Sequence, residues 1–141
     1  MKIVVLPVTP FEQNCSILIC DKTQKAAIVD PGGDLNKIID KISELKVSPE
    51  KIFITHGHLD HCGGTSQLKD LLKIPVEGPH IEDQFWIDQL SSQGEQFGFP
   101  KISPFVPNKW LQDGNTVSFG ETTLNVIHCP GHTPGHIVLY N

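Results

Sequence analysis

The chain has 141 residues, of which 38% are hydrophobic and 19% charged, and its formal net charge is −5. That length is enough for one domain with a buried core, and the composition excludes a disordered chain. The eleven Lys and Arg residues are scattered through an acidic chain, which excludes the clustered basic surface that an obligatory nucleic-acid partner requires.

The N-terminal run Ile3-Val4-Val5-Leu6 is short, Pro7 and Pro10 break it, and no small-residue cleavage site follows, so no secretory leader is expected. Nothing approaches the roughly 18 consecutive apolar residues of a membrane span. Four cysteines (Cys15, Cys20, Cys62 and Cys129) lack C-x-x-C spacing. Free thiols in a reducing, cytoplasmic setting are the expectation. Cys15 and Cys20 read as small buried hydrophobes, whereas Cys62 and Cys129 lie beside histidine motifs.

Strands are predicted over residues 2–6, 16–20 and 26–29, the last stopped by Asp30-Pro31-Gly32-Gly33. Asp34 is expected to N-cap a helix that carries Leu35, Ile38, Ile39, Ile42 and Leu45 and ends before Pro49. An apolar strand over 51–54 runs straight into a cluster of histidines. The spacing then predicts a helix over 65–72 with Leu68, Leu71 and Leu72 on one face, a strand near 74–76 and a helix near 81–90. Residues 91–108 are rich in Gly, Pro, Ser and Gln and are expected to form a long loop. Its rings, Phe97, Phe99 and Phe105, either pin the loop to the core or face a substrate. Strands return over 116–119 and 122–128 around a Gly120-Glu121 turn. The final strand, 136–141, has no turn or polar tail after it, which predicts an open sheet edge, a route to oligomers and a chain that stops short. Strand–helix–strand alternation followed by hairpins predicts mixed α/β layers with helices covering sheets.

The most informative stretch is Thr55-His56-Gly57-His58-Leu59-Asp60-His61. In an extended segment, residues i and i+2 project to the same side, so His56 and His58 can grip one metal. Asp60 and His61 follow where the backbone turns into the 65–72 helix and can face a second metal. Imidazole and carboxylate are the ligands of catalytic zinc. A second cluster, His128-Cys129-Pro130-Gly131-His132-Thr133-Pro134-Gly135-His136, closes the 122–128 strand, and Pro-Gly on either side holds His132 at a defined angle. His80 reads as an ordinary surface histidine, and His128 and His136 as residues that pack around the second loop.

His56-Gly57-His58-Leu59-Asp60-His61 resembles the H-x-H-x-D-H signature of the metallo-β-lactamase superfamily. Val29-Asp30-Pro31-Gly32 resembles its early Asp motif, and Pro130-Gly131-His132-Thr133-Pro134-Gly135-His136 resembles the third-histidine loop of glyoxalase II-like members. The resemblance implies an αββα sandwich, in which residues 1–141 are the N-terminal and central part of a single domain that lacks the rest of the second β-layer. It implies that His56, His58 and His132 bind one metal and Asp60 and His61 a second. Asp30 then braces the histidine loop without touching a metal. A bridging Asp and a final His are expected beyond residue 141.

The implied activity is zinc-dependent hydrolysis of a thioester such as S-D-lactoylglutathione. Two Zn²⁺ ions per complete site, or iron or manganese in their place, activate water, and Asp60 orients the nucleophile. The implied partner is a small-molecule thioester, a glutathione conjugate among the candidates; Lys101 and Lys109 read as solvated surface. A mononuclear iron persulfide dioxygenase is the rival enzyme, and a non-catalytic metal-binding scaffold the rival of another class.

Overall fold

Successive side chains of a strand face opposite ways, and in the middle of this chain both faces are apolar. In the computed structural model, which describes residues 1–141, five strands form one sheet in the order β1-β2-β3-β4-β5. They are β1 (Lys2–Val8), β2 (Gln13–Ile19), β3 (Lys25–Val29), β4 (Ser48–Phe53) and β5 (Val76–Glu77). The first two pairings are antiparallel and the last two parallel. Parallel neighbours need a crossover, supplied by α1 (Leu35–Leu45) between β3 and β4 and by α2 (Leu59–Cys62) and α3 (Thr65–Leu72) between β4 and β5. Pro7 is tolerated in β1 because β1 is an edge strand.

Cys15, Ile17 and Ile19 of β2 enter one core with Ile28, Ile52, Ile38 and Ile42 of α1, and Leu68 of α3. The alternate residue Leu18, with Ala27 and Phe53, enters a second core on the other face of the sheet. A second, antiparallel sheet closes that core: β6 (Thr116–Phe119), β7 (Thr122–His128) and β8 (Ile137–Tyr140), in the order β6-β7-β8. It contributes Val117, Phe119, Leu124, Val126 and Ile137. Each such fully buried side chain contributes roughly 1.5–3 kcal/mol. The result is three layers, helices on a five-stranded sheet on a three-stranded sheet, with Ile127, Val138 and Tyr140 exposed on the outer face. The two sheets are tied at one end, where the Ile137 amide donates to the Thr55 carbonyl at 2.9 Å.

Four expectations change. Asp34 does not cap α1 with its side chain; it sits at φ 51, and its carboxylate accepts from the Thr9 amide at 2.8 Å, holding the β1–β2 turn against the helix start. Leu71 is 64% exposed, because Leu68 and Leu72 fill the inward stripe. The helix expected over 81–90 divides into a 3-10 turn (Ile81–Asp83), α4 (Gln84–Asp88) and α5 (Leu90–Phe97). The first part of the expected loop is therefore helical. Burial of Leu90 and close packing of Gly94 on Ile102, where a Cβ would lie 3.3 Å away, outweigh the weak propensity of Ser and Gly.

The phenylalanines also separate. Phe105 is buried in the first core, whereas Phe97 and Phe99 pack on Phe11 at 5.7 Å ring separations. These three rings border a cleft of about 1070 Å³ that Gly32, Gly63 and Leu71 also line.

Candidate metal centre

Beyond β4 the chain delivers two imidazoles from one short segment. His56 is 2% exposed, its ring 5.0 Å from that of His58. Thr55 fixes its tautomer. The Thr55 hydroxyl donates to Asp30 Oδ2 at 2.6 Å, so its oxygen is free to accept from His56 Nδ1 at 3.0 Å. The lone pair is thereby placed on Nε2, a buried atom with no hydrogen-bond partner.

Asp30 reaches under this segment from the end of β3. Its Oδ1 accepts the Thr55 amide at 2.8 Å, and Oδ2 also accepts His61 Nδ1 at 2.9 Å. The residue sits at φ 54, a left-handed conformation that Asp tolerates better than most side chains. Its amide donates to the Phe53 carbonyl, and its carbonyl accepts from the Gln13 side chain at 2.9 Å. The glycines beside it let the loop press on α2: a Cβ on Gly32 would run into the Asp60 carbonyl, and the Gly64 amide donates to Pro31 at 2.9 Å.

Helix α2 carries Asp60 and His61, and the His61 ring lies 4.0 Å from that of His56. His132 arrives from the loop between β7 and β8, 4.8 Å from both His56 and His58, ring to ring. The ligand atoms of His56, His58 and His132 all lie within 4.8 Å of one another, as do those of Asp30, His56 and His61. His56, His58, His61, His132 and Asp30 therefore come together here, whereas Asp60 belongs to neither group and is placed beside them by its Oδ2, 3.7 Å from His61 Nε2. His132 is solvent-exposed, so the cluster opens at the surface. His136 stands beside it, 4.7 Å from His56.

Electrostatics keep most of these rings neutral. Burial, followed by repulsion from His61, His136, His58 and His132, pushes the pKa of His56 down to about 2. Burial and His132 lower His58 and His136 as well. Burial opposes charge on His61 too, but the hydrogen bond and charge of Asp30 outweigh it and its pKa rises. A buried, partnerless, neutral imidazole nitrogen facing two others is the donor set a divalent cation takes, and these residues fit one.

Thr55, Gln13, Asp83 and Trp86 are absent from the set expected on sequence. Asp83 is fully buried and accepts from Gly57, Thr133 and Gly135. Trp86 packs edge-on to His58 at 4.8 Å. A signal for Asp83 existed: Asp83, Ile87 and Leu90 share the inward stripe of the expected helix, where a carboxylate is out of place.

The remaining candidates lie outside the cluster. Cys62 is buried, which raises its thiol pKa, and the thiol donates to the His58 carbonyl at 3.3 Å. His128 donates through Nε2 to the Pro134 carbonyl at 2.8 Å, packing the loop as expected. His80 stacks on it, centroids 3.9 Å apart and planes 1° apart, with Glu82 nearby. Lys101 and Lys109 are exposed.

The sequence model described as "Metallo-beta-lactamase superfamily" matches residues 8–141. The chain is 42% identical over 138 residues to "Hydroxyacylglutathione hydrolase GloC" of Haemophilus influenzae, a match that covers 97% of this chain and 65% of that protein. Among solved structures it superposes on "BLEG-1 B3 metallo-beta-lactamase" with a TM-score of 0.85 and 29% identity, over 99% of this chain and 66% of that one. It superposes on "TTHA1623 in a di-iron-bound form" with a TM-score of 0.84 and 26% identity, over 97% and 66%. The chain thus spans about two thirds of the length of these relatives, and no helix in it is long and apolar enough to cross a membrane.

Proposed function

The chain belongs to the metallo-beta-lactamase superfamily, and from that premise we propose that it is a metal-dependent hydrolase acting on a small thioester of the hydroxyacylglutathione type. The observation that carries the proposal is the orphaned His56 Nε2, buried and aimed among the ligand atoms of His58 and His132. The name of the Haemophilus influenzae relative supports the substrate class. Residues 1–141 are read as the N-terminal and central part of a single metallo-β-lactamase-type domain.

In this reading His56, His58 and His132 hold one cation, and Asp60 with His61 holds a second, zinc being the metal assigned to both. When bound, the metal supplies Lewis acidity that lowers the pKa of water and polarises a carbonyl. The residues of the chain do the rest. Asp30 and Thr55 keep His56 in the tautomer that offers Nε2, and Asp30 does the same for His61 through Nδ1. Asp60 orients the attacking water and holds its proton on a carboxylate oxygen. A thiolate leaves without needing a strong general acid, which suits a cluster whose rings are mostly neutral. The exposed side of His132 leaves the substrate a path to the cluster.

The test is metal content by elemental mass spectrometry, then turnover of S-D-lactoylglutathione by the parent and by His58→Ala. Bound zinc with turnover lost in His58→Ala is the expected result. Equal turnover by both proteins overturns the metal mechanism. A single iron per chain without thioester turnover redirects the assignment to the dioxygenase. Bound zinc without turnover leaves a metal-binding scaffold.

A further inference from the structure

We propose that Asp83 is a positioning residue of the metal centre: its carboxylate sets the spacing between the His56–His58 segment and the His132 loop, and through that spacing the zinc affinity. This rests on the metal-centre reading above. Oδ2 accepts the Gly57 amide at 2.8 Å and the Thr133 hydroxyl at 2.7 Å, and Oδ1 accepts the Gly135 amide at 2.7 Å. Gly57 lies between His56 and His58, and Thr133 directly follows His132. One carboxylate therefore clamps two ligand-bearing segments far apart in sequence.

The packing shows that the clamp is built in. A Cβ on Gly57 would lie 3.1 Å from the Asp83 carbonyl oxygen, and one on Gly135 would lie 2.7 Å from Asp83 Cβ. Glycine at these positions lets both segments close on Asp83 from either side. The His80 amide adds a bond to the Gly135 carbonyl at 3.2 Å. Ile87 and Leu90, both fully buried, hold the Asp83 segment to the core.

A more ordinary role does not account for the residue. Asp83 stands at the N-cap of α4, yet its side chain makes no capping bond to that helix. None of the ion pairs of the chain involves it. A fully buried carboxylate without a cation is costly unless every donor around it is well placed. Here the donors are the two segments themselves, and a cation held among the histidines would balance the charge.

The experiment compares the full 141-residue chain with Asp83→Asn and Thr133→Val. In Asp83→Asn the amide oxygen can keep the Gly57 and Thr133 donors at the Oδ2 position, but the amide nitrogen then meets the Gly135 amide, itself a donor, and the clamp opens on that side. Zinc affinity is measured by competition with a chromogenic chelator, the site by the visible spectrum of the cobalt-substituted protein, and the metal-free fold by its melting temperature. Asp83→Asn is expected to lose about 10–100-fold in zinc affinity, with an altered cobalt spectrum. Thr133→Val, which removes one bond and keeps the carboxylate, is expected to lose less in the same direction. Lower metal-free melting temperatures with parental affinity and spectrum overturn the inference, and if Asp83→Asn fails to fold, Thr133→Val decides alone. A parent chain that takes up no zinc overturns the metal-centre reading itself, and this inference with it.

Discussion

Two histidine clusters of similar composition stand on this molecule. In one, His56, His58 and His132 bring their ligand atoms within 4.8 Å of one another; in the other, His80, Glu82 and His128 do the same. What differs is how the ring nitrogens are used. Thr55 and Asp30 engage His56 through Nδ1 and leave Nε2 bare. In the second cluster His80 Nδ1 accepts the Glu82 amide, and His128 Nε2 donates to Pro134. The two rings lie flat on each other, so their lone pairs lie in separate parallel planes and do not converge. Proximity gathers ligands, but an unused, aimed lone pair makes a site.

The largest way to break this contrast is His58→Ala, which removes a ligand from the first cluster. Metal content should fall and thioester turnover should drop at least about a hundredfold. Next is Thr55→Val, which leaves every imidazole in place and removes only the hydroxyl that sets the His56 tautomer. Zinc affinity in a chelator competition should fall by about tenfold or more, and an unchanged affinity would show that the ring needs no such guide.

Acid offers a smaller, graded test on the metal-free chain. The folded pKa of His56 is about 2, below its ordinary 6.5, so the unfolded chain binds the proton first. The stability that comes from keeping His56 neutral is complete above pH 6.5 and is lost as the pH falls below it. His58 and His136 shift the same way, whereas His61 is raised and opposes them. The melting temperature should therefore fall between pH 7.5 and pH 5, and a flat profile would contradict a neutral buried cluster. The smallest effect is expected from His80→Ala in the second cluster. Metal content should not change, and stability should drop by no more than about 1 kcal/mol for the lost stack.

The ligands were legible in the sequence because they are local: four of the expected residues lie within His56–His61, and Pro-Gly pairs mark the His132 loop. The strands over 16–20 and 26–29 were legible as local apolar runs, but that Ile17 and Leu18 enter different cores depends on the smaller sheet covering the second face and was not legible. Apart from Asp30, which the resemblance marked as the brace of the histidine loop, what supports the ligands was not legible, because it is assembled across the chain. Asp83 meets partners 26, 50 and 52 residues away, and Gln13 reaches Asp30 from 17 residues away. Asp34 looked like a cap because the residue type suits that role, yet Thr9, which follows β1 and lies 25 residues away, claimed its carboxylate. Composition misled at α5, where Ser, Gln and Gly read as loop until Ile102 packs against Gly94. The αββ layering agrees with the expected sandwich as far as residue 141 extends.

The bond from the Ile137 amide to the Thr55 carbonyl splices the smaller sheet to the larger one beside the histidines. Such a splice decides how the molecule breathes. Strand β8 cannot peel outward alone without first disrupting the turn that follows β4. In deuterated water the Ile137 amide should therefore exchange in the same cooperative opening as Ile52 and Ile54, and more slowly than amides at the β6 edge.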